Sequence, residues 1–334
     1  MSFATQFPAD WPMEFTRDRH IAYLLSLDRD KTTMSSFRAE SIKMGGVYWG
    51  LTAMSLLKID VPAEKREKLL LWIDSCFDQE GGGYGWSSGH DGHLTASHYA
   101  VLLLVQLGVS LSAERIEKIS NFVKINQKSD GSFQCDEWGE TDLRFAYDAV
   151  AILSLLRRDD WKDVIDTNAA VEWINACQNK QDGAFGPNPG LESHAAYTFC
   201  AVAALTILGA PIHAADVLGH WLCERQTPAG GFNGRPEKAP DVCYSWWILS
   251  ALHALKKDHW IEKSRLETFI LRSQELEHGG IADRPECVPD VFHTFFGIAA
   301  LALIDSAGFD LRNVNVLYAI PSDSVAVLIG NRTC

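Results

Sequence analysis

Residues 127–133 read QKSDGSF, and the same figure returns four more times: DQEGGGYGW at 78–86, QNKQDGAF at 178–185, QTPAGGF at 226–232 and QELEHGGI at 274–281. Each is a glycine-rich turn closed by an aromatic residue or isoleucine. The closing residues are Tyr84, Phe133, Phe185, Phe232 and Ile281, so the successive intervals are 49, 52, 47 and 49 residues. Around every turn the order is the same: an amphipathic stretch, the turn, a short polar connection, then an apolar helix. Units of this period with two helices each cannot bury their own apolar faces and must stack on their neighbours.

The helix after each turn is the more hydrophobic of its pair, as in TDLRFAYDAVAILSLL at 141–156 and DVFHTFFGIAALALID at 290–305. A helix apolar nearly all round is buried on both sides. The stretch before each turn, such as RIEKISNFVKINQ at 115–127, alternates apolar and charged residues at helical spacing and reads as an outer helix with one wet face. A sixth inner helix, KMGGVYWGLTAMSLL at 43–57, precedes the first turn, and residues 18–27 supply its outer partner. Six helix pairs with no strand-like run describe an all-α fold, a closed (α/α)6 barrel. It is expected as a single domain over 1–334, with turns centred near 84, 133, 185, 232 and 281 and a C-terminal tail at 306–334. An open superhelical solenoid is the alternative the same pattern allows.

A chain of 334 residues with 47% hydrophobic residues can bury a large core. Its net charge of −13 argues against nucleic acid, because phosphate binding needs a basic footprint, so any anion site has to be local. No apolar run reaches the roughly eighteen residues of a membrane span, and MSFATQFPADW lacks the order of a signal peptide, so a cytoplasmic protein is expected. The eight cysteines are scattered through apolar segments without the spacing of a disulfide framework, and most read as reduced core residues.

Counted from the closing residue of each turn, Arg144 falls at +11, His194 at +9, Cys243 at +11 and His293 at +12, all at the start of an inner helix. In a barrel of parallel inner helices, one axial level lines one mouth, so these groups converge. Asp241-x-Cys243 on one inner helix and His293 on the next offer carboxylate, thiolate and imidazole, three ligands that leave a tetrahedral zinc ion one open position. A buried helix cysteine is, taken alone, more often a small hydrophobe. Asp290 is either a partner for the His293 imidazole or a helix N-cap. Just before this motif, Arg235 and Lys238 supply a bidentate fork and a point charge suited to a diphosphate, with His194, Arg144 and Tyr244 at the same level. Simple solvation of those charges is the plainer reading. Tyr48, Trp49, Tyr147, Trp246, Trp247, Phe292 and Phe295 line the same region, either as core or as the wall of an axial cavity for a long apolar ligand. Gly45 and Gly46 on an inner helix mark a place where space matters or where helices pack closely.

KMGGVYWGLTAM (43–54), DGSFQCDEWGETDLRFAYDAVA (130–151), HWLCERQ (220–226), GFNGRPEKAPDVCYSWW (231–247) and GGIADRP (279–285) make the chain similar to the β subunits of protein prenyltransferases. The resemblance covers essentially the whole chain and is strongest to the type II branch that modifies Rab GTPases. It implies zinc ligands at Asp241, Cys243 and His293, one Zn²⁺ per chain, and diphosphate-binding groups at His194, Arg235, Lys238 and Tyr244 with Arg144 close by. It implies an isoprenoid pocket at Tyr147, Cys200 and Trp247. Where the farnesyl-specific relative carries a tryptophan this chain has Gly45, as expected for the longer geranylgeranyl chain. SHAAYTFC departs from relatives that carry glycine in place of Ala195 or Ala196.

The implied reaction transfers geranylgeranyl from its diphosphate to C-terminal cysteine thiols of Rab-type small GTPases. Zn²⁺ lowers the thiol pKa, and Trp247 faces the developing carbocation. Mg²⁺ is expected on the diphosphate near Asp283. The implied partners are a helical-repeat α subunit, forming a heterodimer, and an escort protein that presents the GTPase. The competing readings are a type I geranylgeranyl- or farnesyltransferase β subunit and, from another class, a non-catalytic helical-repeat scaffold. A terpene cyclase would need an Asp-rich protonation motif. The only candidate, RRDDW at 157–161, reads as solvated.

Overall fold

In the computed structural model, residues 14–27, 40–156 and 160–330 are described. The N-terminal stretch 1–13, residues 157–159 of RRDDW, and Cys334 lie outside them. The helices alternate along the chain. The outer set is α1 (Arg17–Ser26), α3 (Ala63–Ser75), α5 (Ala113–Ile125), α7 (Thr167–Ala176), α9 (Ala215–Cys223) and α11 (Lys263–Arg272). The inner set is α2 (Lys43–Leu56), α4 (Leu94–Gln106), α6 (Leu143–Leu156), α8 (Ala195–Leu208), α10 (Cys243–Ala254) and α12 (Val291–Asp305), and a last helix, α13 (Ser322–Gly330), follows. Each inner helix packs on the next, and α12 packs on α2, so the ring is closed rather than an open solenoid. No described helix is long and apolar enough to cross a membrane.

The repeated turn is the device that holds outer and inner rings together. Its closing residue forms an isolated bridge with the residue that starts the turn, as in Gln127 with Phe133 and Gln274 with Ile281. Tyr84, Phe133, Phe185 and Phe232 are at most 1% exposed, and complete burial of such a side chain is worth roughly 1.5–3 kcal/mol. Gly131, at φ +88°, lies so close to the next outer helix that a Cβ would sit 2.0 Å from the Ala169 carbonyl oxygen of α7. Only glycine combines that left-handed conformation with that approach.

The same turn also caps the next outer helix. Gln127 Nε2 donates to the Asp166 carbonyl and its Oε1 accepts from the Asp166 N–H, both at 2.8 Å, just before α7. Gln226 does the same at Glu262 before α11. Gln274 reaches back to the start of the chain, donating to the Glu14 carbonyl at 3.1 Å and accepting from Thr16 N at 2.9 Å. Gly279, at φ +83°, would place a Cβ 2.1 Å from the Arg19 carbonyl of α1. The fifth turn thus treats α1 as its next outer helix, which closes the outer ring as well.

A second stitch sets the level of the inner helices. The residue two past each closing position offers its carbonyl to the first turn of the preceding inner helix: Trp86 to Met44, Cys135 to Leu94, Pro187 to Leu143, Gly234 to Ala195 and Asp283 to Val242. The helix starts are thereby held at one level around one mouth. The segment after α12 returns across the other end. Tyr48 and Tyr147 donate to the carbonyls of Ala319 (2.9 Å) and Leu317 (2.7 Å), and Tyr318 shares a hydrogen bond with Ser154. The end of the ring away from the mouth is therefore crossed by this segment.

Candidate active site

At the mouth, α10 and α12 bring Asp241, Cys243 and His293 together, with their ligand atoms within 4.8 Å of one another. Asp241 Oδ1 accepts from Cys243 N at 2.8 Å and faces His293 Nε2 at 3.3 Å. Asp290 performs both of the roles open to it: Oδ1 caps α12 by accepting from His293 N at 2.8 Å, and Oδ2 holds His293 Nδ1 at 2.7 Å. With Nδ1 committed to that carboxylate, Nε2 is the ring atom turned to the other two ligands. Burial pulls the His293 pKa down, but Asp241 and Asp290 outweigh it and push it up to about 9. Burial and Asp241 push the Cys243 thiol well above its usual range. The donor set, oriented imidazole and buried thiol fit a zinc ion with three protein ligands and one open position.

A second group of the same composition, His93, Cys135 and Asp136, lies across the mouth and was not foreseen from the sequence. His93 stands at +9, the position of His194, which was the available signal. Its chemistry differs. His93 Nδ1 accepts from Thr95 N at 3.1 Å, and since a backbone N–H can only donate, the neutral ring carries its proton on Nε2. The Asp136 carboxylate also holds Trp138 N at 2.9 Å. This triad keeps its proton on Nε2, whereas in the first Asp290 holds the proton on Nδ1 and Nε2 is the atom that can release its proton to a metal.

His194 repeats that geometry on α8. Its Nδ1 accepts from Ala196 N at 3.2 Å, leaving Nε2 3.3 Å from the Tyr244 hydroxyl. Burial, with Arg235 nearby, lowers the His194 pKa, and burial pushes Tyr244 up to about 12. At neutral pH both are uncharged hydrogen-bonding groups beside the Asp241, Cys243 and His293 cluster.

The cations depart from the sequence reading. Arg235 is engaged by Glu192, and Arg144 is held by Asp142 at 2.5 Å and Glu140 at 3.1 Å, so neither guanidinium is committed to solvent alone. Lys238 is exposed. Tyr197, which sequence reasoning missed, lies between Arg144 and His194, 5.9 Å from the guanidinium and 5.5 Å from the imidazole ring. Asp283 is paired with Arg284 at 2.7 Å rather than open to a cation.

Below the mouth, Cys200 is buried with its thiol pushed well up by burial, and the Trp247 ring packs on Phe199 and Phe296. Trp246 and Phe295 are core, at 1% and 0% exposed. Gly45 is not an open notch: a Cβ there would meet Trp49 at 3.2 Å and Tyr99 at 3.3 Å. Tyr99, also unforeseen, stacks on Tyr48 with centroids 4.8 Å apart and is only partly buried. Gly46 faces nothing within 4 Å. Of the described cysteines most are buried, as read from the sequence, and Cys287 is exposed.

The prenyltransferase alpha-alpha toroid domain model matches residues 15–320. The chain is 43% identical over 319 residues to geranylgeranyl transferase type-2 subunit beta 1 of Arabidopsis thaliana, covering 95% of this chain and 96% of that protein. It is 41% identical over 313 residues to geranylgeranyl transferase type-2 subunit beta of Saccharomyces cerevisiae, covering 91% and 94%. The solved structure of Candida albicans protein geranylgeranyltransferase-I complexed with GGPP superposes with a TM-score of 0.85 at 23% identity, covering 95% of this chain and 98% of that one.

Proposed function

The chain belongs to the prenyltransferase alpha-alpha toroid family, and from that premise we propose that it is the catalytic β subunit of a type II protein geranylgeranyltransferase. It would transfer geranylgeranyl from its diphosphate to C-terminal cysteine thiols of Rab-type small GTPases. The observation that carries the reading is the convergence of Asp241, Cys243 and His293 with the imidazole already turned by Asp290. A zinc ion held by these three supplies the Lewis acidity that keeps a substrate thiol deprotonated at neutral pH.

The chain's own residues do the rest. His194 and Tyr244 donate to oxygens of the departing diphosphate, and Arg235 and Lys238 balance its charge once Arg235 exchanges Glu192 for the anion. Arg144 makes the same exchange from Asp142. Trp247 and Tyr99 wall the isoprenoid, and Tyr48 and Tyr147 floor it on the C-terminal segment. Because both arginines start on carboxylates and the chain carries −13, the diphosphate site gains from a basic partner. This supports the α subunit of a heterodimer, with an escort protein presenting the GTPase in the cytoplasm. Mg²⁺ on the diphosphate would have to draw Asp283 from Arg284.

The test is zinc content and thioether-forming transfer, measured on the chain co-purified with its α partner. Wild type is expected to hold one zinc and to transfer geranylgeranyl in preference to farnesyl; Cys243→Ser is expected to lose both metal and turnover while melting as a folded protein. Full zinc and full turnover in the folded variant would overturn the assignment.

A further inference from the structure

Across the mouth from the metal ligands lies a groove of about 310 Å³ lined by Trp86, His90, Asp91, His93, Asp136 and Trp138, with glycines along its edge. The two connections that form it, 86–93 and 134–140, carry Asp91, Asp136, Glu137 and Glu140 and no lysine or arginine. Of the cations beside it, Arg144 is already held by Asp142 and Glu140, and Lys43 by Glu40. Trp138 is 80% exposed, although its backbone N–H is anchored on Asp136. Trp86 is fixed against His93 and Tyr99. Two indole rings beside two carboxylates, one ring set and one open, suit a cationic side chain: the ring faces attract it and the carboxylates neutralise it.

The position of the groove decides whose side chain that is. It sits at the starts of α4 and α6, and the metal ligands at the starts of α10 and α12, on opposite sides of a six-membered ring. Inner helices 8–10 Å apart put opposite members roughly 16–20 Å apart. An extended chain covers about 3.3–3.6 Å per residue, so the crossing takes about five or six residues.

Resting on the function proposed above, we infer that the groove receives an arginine or lysine of the protein substrate about five or six residues before the acceptor cysteine. The substrate then crosses the mouth, its thiol at Cys243 and His293 and its basic side chain between Trp86 and Trp138.

The probes are short synthetic peptides ending in cysteine, with a single lysine placed five, or two, residues before it, or with glutamine throughout. They are assayed with the heterodimer, and binding is read separately from tryptophan fluorescence. The lysine-at-five peptide is expected to show a KM about ten-fold below the glutamine peptide with kcat unchanged, and the lysine-at-two peptide no advantage. An Asp91→Asn, Trp138→Ala double variant should erase the advantage and leave the glutamine peptide's KM alone. Three results overturn the inference: no lysine preference in fluorescence or turnover, a preference that survives the double variant, or loss of the α partner from that variant, which would assign the groove to the subunit interface. If fluorescence shows the position-dependent preference but no peptide is turned over, the groove stands. Turnover is then read on an escort-presented GTPase carrying the lysine or the glutamine, whose failure to be modified by the wild-type heterodimer would sink the transferase reading.

Discussion

Asp290 divides two tasks between two oxygens, and the tasks can be separated by substitution. Asp290→Asn keeps an oxygen to cap α12 through His293 N but removes the negative charge that orients Nδ1. Partners of this kind are worth 10–100-fold in metal affinity, so the asparagine variant should bind zinc at least about ten-fold more weakly in chelator competition while its melting temperature stays near wild type. Asp290→Ala should add the loss of the cap, about 1 kcal/mol. Unchanged zinc affinity in the asparagine variant would reduce Asp290 to a cap. At this scale the convergence of Asp241, Cys243 and His293 was legible because the repeat fixes their level: the first two start one inner helix and His293 the next. The partners of the arginines were not. Glu192 and Asp142 stand on connections whose direction depends on where each turn leaves its ring, and no periodicity reports that. Tyr99 escaped for a related reason, since a tyrosine on an all-apolar helix does not announce which neighbour it faces.

The glycine turns show the same division at the scale of an element. Their position is written in the sequence; what each glycine lies against is not, because the neighbour is a helix about forty residues further on, near Ala169 for Gly131. Gly131→Ala forces a side chain into a left-handed conformation and against a carbonyl at 2.0 Å, and is expected to destabilise by about 3 kcal/mol or more from strain and overpacking together. Gly46 is the internal control. It lies within α2 with nothing within 4 Å, so Gly46→Ala should stabilise by roughly 0.5–1 kcal/mol. Urea midpoints of the two variants check both signs. If Gly131→Ala were neutral, the turn would not be what locks the outer ring.

At the scale of the whole molecule, six helix pairs pointed to the closed barrel that is found, while the pattern still allowed an open solenoid, because closure depends on a contact between the two ends of the chain. Beside the packing of α12 on α2, that contact includes His20, buried at 0% exposure, whose Nδ1 accepts from Gly280 N at 3.0 Å and whose Nε2 faces Gln274 Oε1 at 2.8 Å. The ring is therefore neutral with its proton on Nε2. Burial, partly offset by the Gln274 hydrogen bond, lowers its pKa from 6.5 to about 4. The unfolded imidazole takes up a proton near 6.5, whereas the folded one resists until about 4. The stability held in this seam is thus fully present above pH 6.5 and is lost as pH falls toward 4. Between neutral pH and pH 5 that loss amounts to about 2 kcal/mol, at roughly 1.4 kcal/mol per unit. Other groups titrate in the same range, so the reading comes from a difference: His20→Gln should be less stable than wild type at pH 7.5 but should lose about 2 kcal/mol less on going to pH 5. Urea denaturation at the two pH values measures this, and hydrogen exchange locates it, with the amides of α1 and of the turn at 274–281 expected to lose protection first in wild type at pH 5. Parallel losses in the two proteins would show that this histidine does not hold the seam.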